Sequence, residues 1–360
     1  MSLKQGFLDR FSGKPSDRLL YAPDLTLWYE WHHTQGTLPA ELQGASLPQI
    51  ARAMGVPVWM PVQPWRMETP GLAMETEERE GKRVVRFETP SGTLVARWTL
   101  GPDGDWWQTE YPVKSRNDLR AAVSLVEARS YVLDLAKLSD PTAQVGDDAI
   151  PALELPKRPY SELLHDLLGW SKGLALLSEP EVADILALLE TKLRELVEDV
   201  ALLSGEMVLS PDNLDGQFIS PRAFEQHLTG SYRRTAETLH QHDKRLVVHV
   251  GGPAKRLLEP LAAAGVDGIE GISGPPQSDA SLAQARDIVG PRITLWGGIP
   301  QDVLLDTHNH ERFETAVARA VEEAKSDARM ILGVADRVPV HAEMARLEAI
   351  PSLIYQVLSR

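Results

Sequence analysis

The second half of the chain alternates short apolar runs with amphipathic stretches that begin or end at Gly and Pro, the pattern of strands joined by helical crossovers. Strands are predicted at Glu206 to Leu209, Arg245 to Val250, Val266 to Glu270, Arg292 to Trp296 and Met330 to Gly333. The stretch from Pro221 to His242 reads as one helix, with Ser220 as N-cap and Pro221 in the first helical position. A second helix stops at Gly265, and ERFETAVARAVEEAKSDA carries its apolar residues at helical spacing. In the first half, Arg18 to Ala22, Val56 to Pro61 and Ala149 to Leu153 supply three further strands, and Glu181 to Leu203 a long helix. Repeated β-α-β order implies parallel strands, and these eight candidates favour a (β/α)₈ TIM barrel over a doubly wound sheet. No glycine-rich dinucleotide fingerprint or P-loop supports the doubly wound alternative.

From Leu72 to Pro112 the period changes to strict alternation, in KRVVRFETP, SGTLVARWTL and WWQTEYPVK, with turns at Pro90-Ser91-Gly92 and Gly101 to Gly104. The expectation is a single domain over residues 1–360, with an antiparallel β-meander inserted near 72–112.

Composition narrows the chemistry. The 360 residues contain 37 Lys and Arg, 51 Asp and Glu and no Cys, a formal charge of −14. Without cysteine there is no disulfide, thiolate zinc site, iron–sulfur cluster or thiol nucleophile. The acidic balance argues against nucleic acid as a partner. No apolar run approaches the roughly 20 residues of a membrane-spanning helix, and the polar start MSLKQGFLDRFSGKPSDR does not read as a secretory signal, so a cytoplasmic protein is expected.

Reacting groups of a (β/α)₈ barrel gather at the carboxyl ends of its strands. Those positions here hold Asp212, Asn213 and Asp215, then His249 before Gly251-Gly252, then Glu270, the Trp296-Gly297-Gly298 run, and Asp336-Arg337. His249, Glu270 and Asp212 are the candidate catalytic groups, with Asn213, Trp296 and Asp336 as candidate substrate contacts. Each has a structural alternative: a core histidine, a loop-fixing carboxylate, turn-forming aspartates, an Asp336–Arg337 pair. His308 and His310 resemble a metal pair but fall in a polar segment that reads as a solvated loop. Trp28, Trp31, Trp59 and Trp65 crowd within 40 residues and are candidate walls for a flat aromatic or methylated ammonium ligand.

The run LDGQFISPRAFEQHLTGSYRRTAETLHQHDKRLVVHVGG, followed by LLEPLAAAGVDGIEGISGPP, the Trp296-Gly297-Gly298-Ile299 strand end and Ala335-Asp336-Arg337-Val338-Pro339, resembles the uroporphyrinogen decarboxylase superfamily. It is most similar to the corrinoid-linked methyltransferase branch, whose TP-x-G and PVK-x-x-x-DL elements look like ETPSGTL and EYPVKSRNDL here. The resemblance implies a (β/α)₈ barrel and methyl transfer involving a cobalamin carried by a partner corrinoid protein.

Two departures redirect it. The decarboxylases hold a polycarboxylate substrate with an N-terminal Arg-rich segment, whereas YAPDLTLWYEWHHTQGTLPAEL has no Arg, so porphyrinogen decarboxylation is not expected. Thiol-methylating members bind zinc through His-x-Cys and a later Cys; this chain keeps His249 but has Gly251 at the Cys position. Zinc on an oxygen–nitrogen set of His249, Glu270 and Asp212 is the remaining metal option. The reading is therefore a demethylating methyltransferase moving a methyl group from a small donor, an aryl methyl ether or a methylated amine, to the cobalamin of the partner protein. A homodimer is compatible with it. The alternatives are a decarboxylase or other lyase acting on a small carboxylate, anchored by Arg66, Arg222 or Arg337, and a non-catalytic ligand-binding barrel.

Overall fold

All eight predicted barrel strands are present in a computed structural model, which describes residues 3–15, 18–138, 149–171 and 173–360. They are β1 (Leu20–Tyr21), β2 (Val58–Val62), β3 (Ala149–Glu154), β4 (Met207–Leu214), β5 (Arg245–Val250), β6 (Gly268–Ile272), β7 (Thr294–Pro300) and β8 (Met330–Ala335). Every pairing is parallel, in the order β1, β8, β7, β6, β5, β4, β3, β2. This is the strand order of a (β/α)₈ TIM barrel, with β1 and β2 at the two ends of the ladder.

By its internal contacts the chain divides into two compact units. The first, Met1–Val62 with Ala136–Glu154 and Ser204–Arg360, contains all eight barrel strands. The second, Gln63–Leu135 with Leu155–Leu203, is wider than the 72–112 meander. Its four-stranded antiparallel sheet runs Ala73–Arg79, Lys82–Thr89, Gly92–Leu100 and Trp106–Glu110; the last three are the alternating runs read from the sequence, and Ala73–Arg79 is added before them. Its core joins Leu94 of that sheet to Leu119, Ala122 and Leu125 on one helix and Ile185 and Leu189 on Pro180–Ala201.

Several strands run further toward their carboxyl ends than the hydrophobic pattern indicates. β7 continues through Gly297 and Gly298 because β8 keeps supplying backbone partners, whereas β4 continues through Pro211, Asp212 and Asn213 across a break in its register with β5 between Ser210 and Leu214. The single helix expected over Pro221–His242 is two, Pro221–His227 and Thr229–His240. At the junction the Thr229 hydroxyl donates to the Phe224 carbonyl at 3.3 Å, competing with the helical backbone for that acceptor.

Within the barrel unit, Trp296 on β7 meets Phe7 edge-on at 5.1 Å and Trp59 of β2 at 4.6 Å, and its Nε1–H donates to the Ala22 carbonyl at 2.9 Å. A Cβ at Gly333 of β8 would lie 2.7 Å from that Nε1, so glycine there makes room for the indole. Trp296→Phe is expected to lower stability by about 1–3 kcal/mol, through the lost hydrogen bond and the unfilled volume. Urea unfolding measures this directly; an unchanged midpoint would remove Trp296 from the packing that supports the barrel.

Candidate active site at the mouth of the barrel

A cavity of about 420 Å³ opens in the barrel unit and is lined by the carboxyl-terminal parts of its strands and the segments that follow them. β4 contributes Leu209, Pro211 and Asn213, the last two from the stretch where its register with β5 shifts and where Asn213 holds a φ of 48°. Ser210 and Asp212 are buried and outside the lining. Asp212 is fully buried, accepts from the Ser210 hydroxyl at 2.7 Å, and is also hydrogen-bonded by the Tyr232 hydroxyl. The expectation that Asp212 shares a mouth with His249 is thereby corrected: past the register shift at Ser210, position 212 is buried outside the cavity.

His249 on β5 and Glu270 on β6 are register partners on adjacent strands, both facing the cavity. His249 Nδ1 lies 2.5 Å from Glu270 Oε2, and Nε2 lies 3.3 Å from Asp336 Oδ1, just past β8. Burial pulls the imidazolium down, but Asp336 and Glu270 outweigh it and hold His249 up at about 9. Glu270 is raised above the ordinary carboxylate range by burial, with the His249 cation opposing. At neutral pH the ring is therefore protonated, with a carboxylate at each nitrogen.

Acidic residues outnumber basic ones on the wall, five to two. Asp24, following β1, receives the Thr26 backbone N–H at 2.8 Å and the Thr26 hydroxyl at 2.5 Å, and burial raises it. Its carbonyl accepts from the Val338 N–H at 2.9 Å, tying the segment after β1 to the segment after β8. Thr26 and Glu30, one helical turn apart on Thr26–Gln35, both face the cavity. Glu154 ends β3 and Arg337 follows Asp336. Asp24, Glu30 and Glu154 were not singled out in the sequence, although Asp24 and Glu154 obey the same strand-end rule that selects His249.

The tryptophans separate. Trp59 lines the cavity, with Trp296 packed against it but outside the lining. Trp28 is 2% exposed; it stands about 200° around the helix from Thr26 and meets His32 at 5.0 Å. Trp31, on the same helix, is half-buried and outside the lining. Trp65 belongs to the second unit, where it meets Tyr131 edge-on at 5.0 Å. Of the proposed anchor arginines, Arg337 reaches the cavity, Arg222 is exposed on its helix, and Arg66 lies on a strand of the second unit. His308 and His310 bind different carboxylates, Asp302 and Glu314.

The residues do not fit zinc. Both ring nitrogens of His249 face carboxylates, and Asp212 points elsewhere. A side chain at Gly251 would start 1.8 Å from Asn213 Oδ1, so the Asn213 amide occupies the space a ligand at 251 would need. Among the described residues, no three His, Asp or Glu side chains are arranged to hold a metal ion. Among those residues, too, no helix is long and apolar enough to cross a membrane.

Residues 170–356, more than half of the chain, match the family model described as uroporphyrinogen decarboxylase (URO-D). The chain belongs to the uroporphyrinogen decarboxylase family. The matched segment carries β4 to β8, and with them Asn213, His249, Glu270 and Asp336. Among solved structures, a methyltransferase from Methanosarcina mazei is similar over 99% of both chains, with a TM-score of 0.62 and 14% identity, a likeness of fold. A D-psicose 3-epimerase is similar over 62% of this chain and 84% of its own, with a TM-score of 0.39 and 12% identity. No curated protein matches the chain in sequence. In this member of the family the mouth holds a histidine between two carboxylates, and among the described residues one arginine, Arg337, lines it.

Proposed function

We propose that the chain is a corrinoid-dependent methyltransferase that removes a methyl group from a small donor, an aryl methyl ether being the class the mouth suits best. The observation that carries this reading is His249, a partly buried imidazolium at neutral pH with Glu270 and Asp336 at its two nitrogens. Breaking the methyl–oxygen bond leaves the electron pair on the oxygen, and a phenolate departs far more readily if a proton reaches it. His249 is the group placed to give that proton, through the nitrogen that faces Asp336. Glu270 fixes the ring and stabilises its cation, and Trp59 offers an aromatic wall for the donor. A reduced corrinoid, brought to the mouth by a partner protein, supplies the nucleophile that takes the methyl group. A cavity of about 420 Å³ suits a small donor.

A second donor class, methylated amines, is favoured by one specific observation. Asp24, Glu30, Glu154, Glu270 and Asp336 line the cavity, and its only lining cations among the described residues are His249 and Arg337. Such a wall attracts a quaternary ammonium, whose departure as a neutral amine needs no proton.

The test is to mix the protein with a reduced corrinoid protein and a panel of aryl methyl ethers and methylated amines, and to follow methylcobalamin absorbance. Methyl transfer from at least one aryl ether is the expected result. Silence across the panel would sink the reading, and carbon dioxide release from a small carboxylate without corrinoid would replace it with the lyase alternative.

A further inference from the structure

One buried carboxyl group on the wall of the mouth is left over by the chemistry at His249. Glu270 and Asp336 stand at the two ring nitrogens, and Glu30 is exposed on its helix. Asp24, just past β1, is 9% exposed and lines the same cavity. Its Oδ1 takes both protons that Thr26 offers, the backbone N–H at 2.8 Å and the hydroxyl at 2.5 Å. The N–H belongs to the opening turn of Thr26–Gln35, where backbone donors have no partner inside the helix. Capping that turn through one oxygen fixes the carboxyl group and leaves its second oxygen over.

That oxygen, Oδ2, accepts from no group among the described residues, and the protein does not seal it, so it opens into the cavity that Asp24 lines. Asp24 is also within electrostatic reach of the histidine assembly. Burial raises Glu270, the partner of His249, and the charges of Asp336 and Asp24 push it further up. The Asp24 carbonyl accepts from the Val338 N–H at 2.9 Å, two residues past Asp336. A largely desolvated carboxyl oxygen without a donor is costly. A ligand that brings a hydroxyl proton relieves that cost, whereas one that presents only ether oxygens does not.

We propose that Asp24 is a specificity-determining residue whose Oδ2 accepts a hydrogen bond from a hydroxyl group on the methyl donor, so that the donor class is an aryl methyl ether with a free phenolic hydroxyl. The inference rests on the aryl ether reading for the methoxyl group and adds the second substituent. Such a donor is held at two points of its ring, the methoxyl oxygen at His249 and the hydroxyl at Asp24, which removes rotations that would carry the methyl group out of line. The proton stays on the hydroxyl, and no bond is made or broken at Asp24.

Calorimetric titration of the full chain, without corrinoid, compares 2-, 3- and 4-methoxyphenol with methoxybenzene and with the matching dimethoxybenzenes, whose second oxygen carries no proton. At least one methoxyphenol is expected to bind about 10- to 100-fold tighter than methoxybenzene and than its own dimethoxybenzene, and the isomer that does so gives the position of the hydroxyl on the ring. Asp24→Asn keeps an acceptor for Thr26 but turns an amide NH₂ towards the ligand. It should cut the preference to about threefold or less while affinity for methoxybenzene stays within about twofold, which separates lost recognition from lost folding. Equal binding of every methoxyphenol and methoxybenzene, a dimethoxybenzene that binds as tightly as its methoxyphenol, or an undiminished preference in the variant would overturn the proposal. The comparison in the parent chain decides by itself if the variant does not fold. Because binding is read without turnover, silence in methyl transfer would count against the proposed reaction and leave the recognition by Asp24 standing.

Discussion

His249→Gln is expected to slow methyl transfer from an aryl methyl ether by about 10²–10⁴-fold, the range that positioned proton donors contribute. Transfer from a quaternary ammonium donor should be far less affected, because no proton is consumed there. The pH dependence follows from the same ring. His249 titrates at about 9 in the folded chain, above its ordinary 6.5, so the acid form persists through neutral pH and the ether reaction should fall as pH rises through about 9. Stability follows the same sign: a raised histidine contributes fully below about 6.5, and its contribution is lost as pH rises through about 9. The gap in melting temperature between parent and His249→Gln should therefore narrow above that pH. Equal rates for parent and variant on an ether, at any pH below 9, would remove His249 from the chemistry.

The second large effect is expected in the other unit. Arg129 and Glu162, 7% and 8% exposed, are joined by a direct hydrogen-bonded ion pair, and Lys192 donates to the Arg129 carbonyl. Burial raises Glu162 and the Arg129 charge opposes it. Arg129→Met alone strands a buried carboxylate, and about 3–5 kcal/mol of unfolding free energy should be lost. Combining it with Glu162→Leu should restore most of that, because the desolvation cost of both charges disappears together. Urea unfolding of the two single variants and the double variant measures the coupling. Strictly additive losses would mean that the pair does not act as one unit.

The barrel was legible in the chain because its strands are apolar runs bounded by turn residues; β5 has the predicted limits, Arg245–Val250. His249, Glu270, Asn213 and Asp336 were reachable from strand ends alone. What the sequence withheld was direction. Asp212 and Asn213 are neighbours with the same apparent claim on the mouth, and only the extension of β4 decides which one faces it. Tryptophan content signals burial without signalling a partner, so Trp28, Trp65 and Trp296 pack against His32, Tyr131 and Trp59 and do not line the cavity. Register was equally hidden: that His249 and Glu270 stand side by side depends on how β5 and β6 align. Glu30 is separated from Asp24 by a helix start, which no strand-end rule inspects.

The close approach of Asn213 to Gly251 makes the order of sequence change matter. Gly251→Cys made first would put its Cβ 1.8 Å from the Asn213 Oδ1, so the Asn213 side chain would have to move. Asn213→Gly made first meets no backbone obstacle, since position 213 already holds a φ of 48°, which glycine accepts freely. The two positions are therefore coupled: a side chain at 251 requires the Asn213 side chain to turn out of the space it fills, and Asn213→Gly made first removes that requirement.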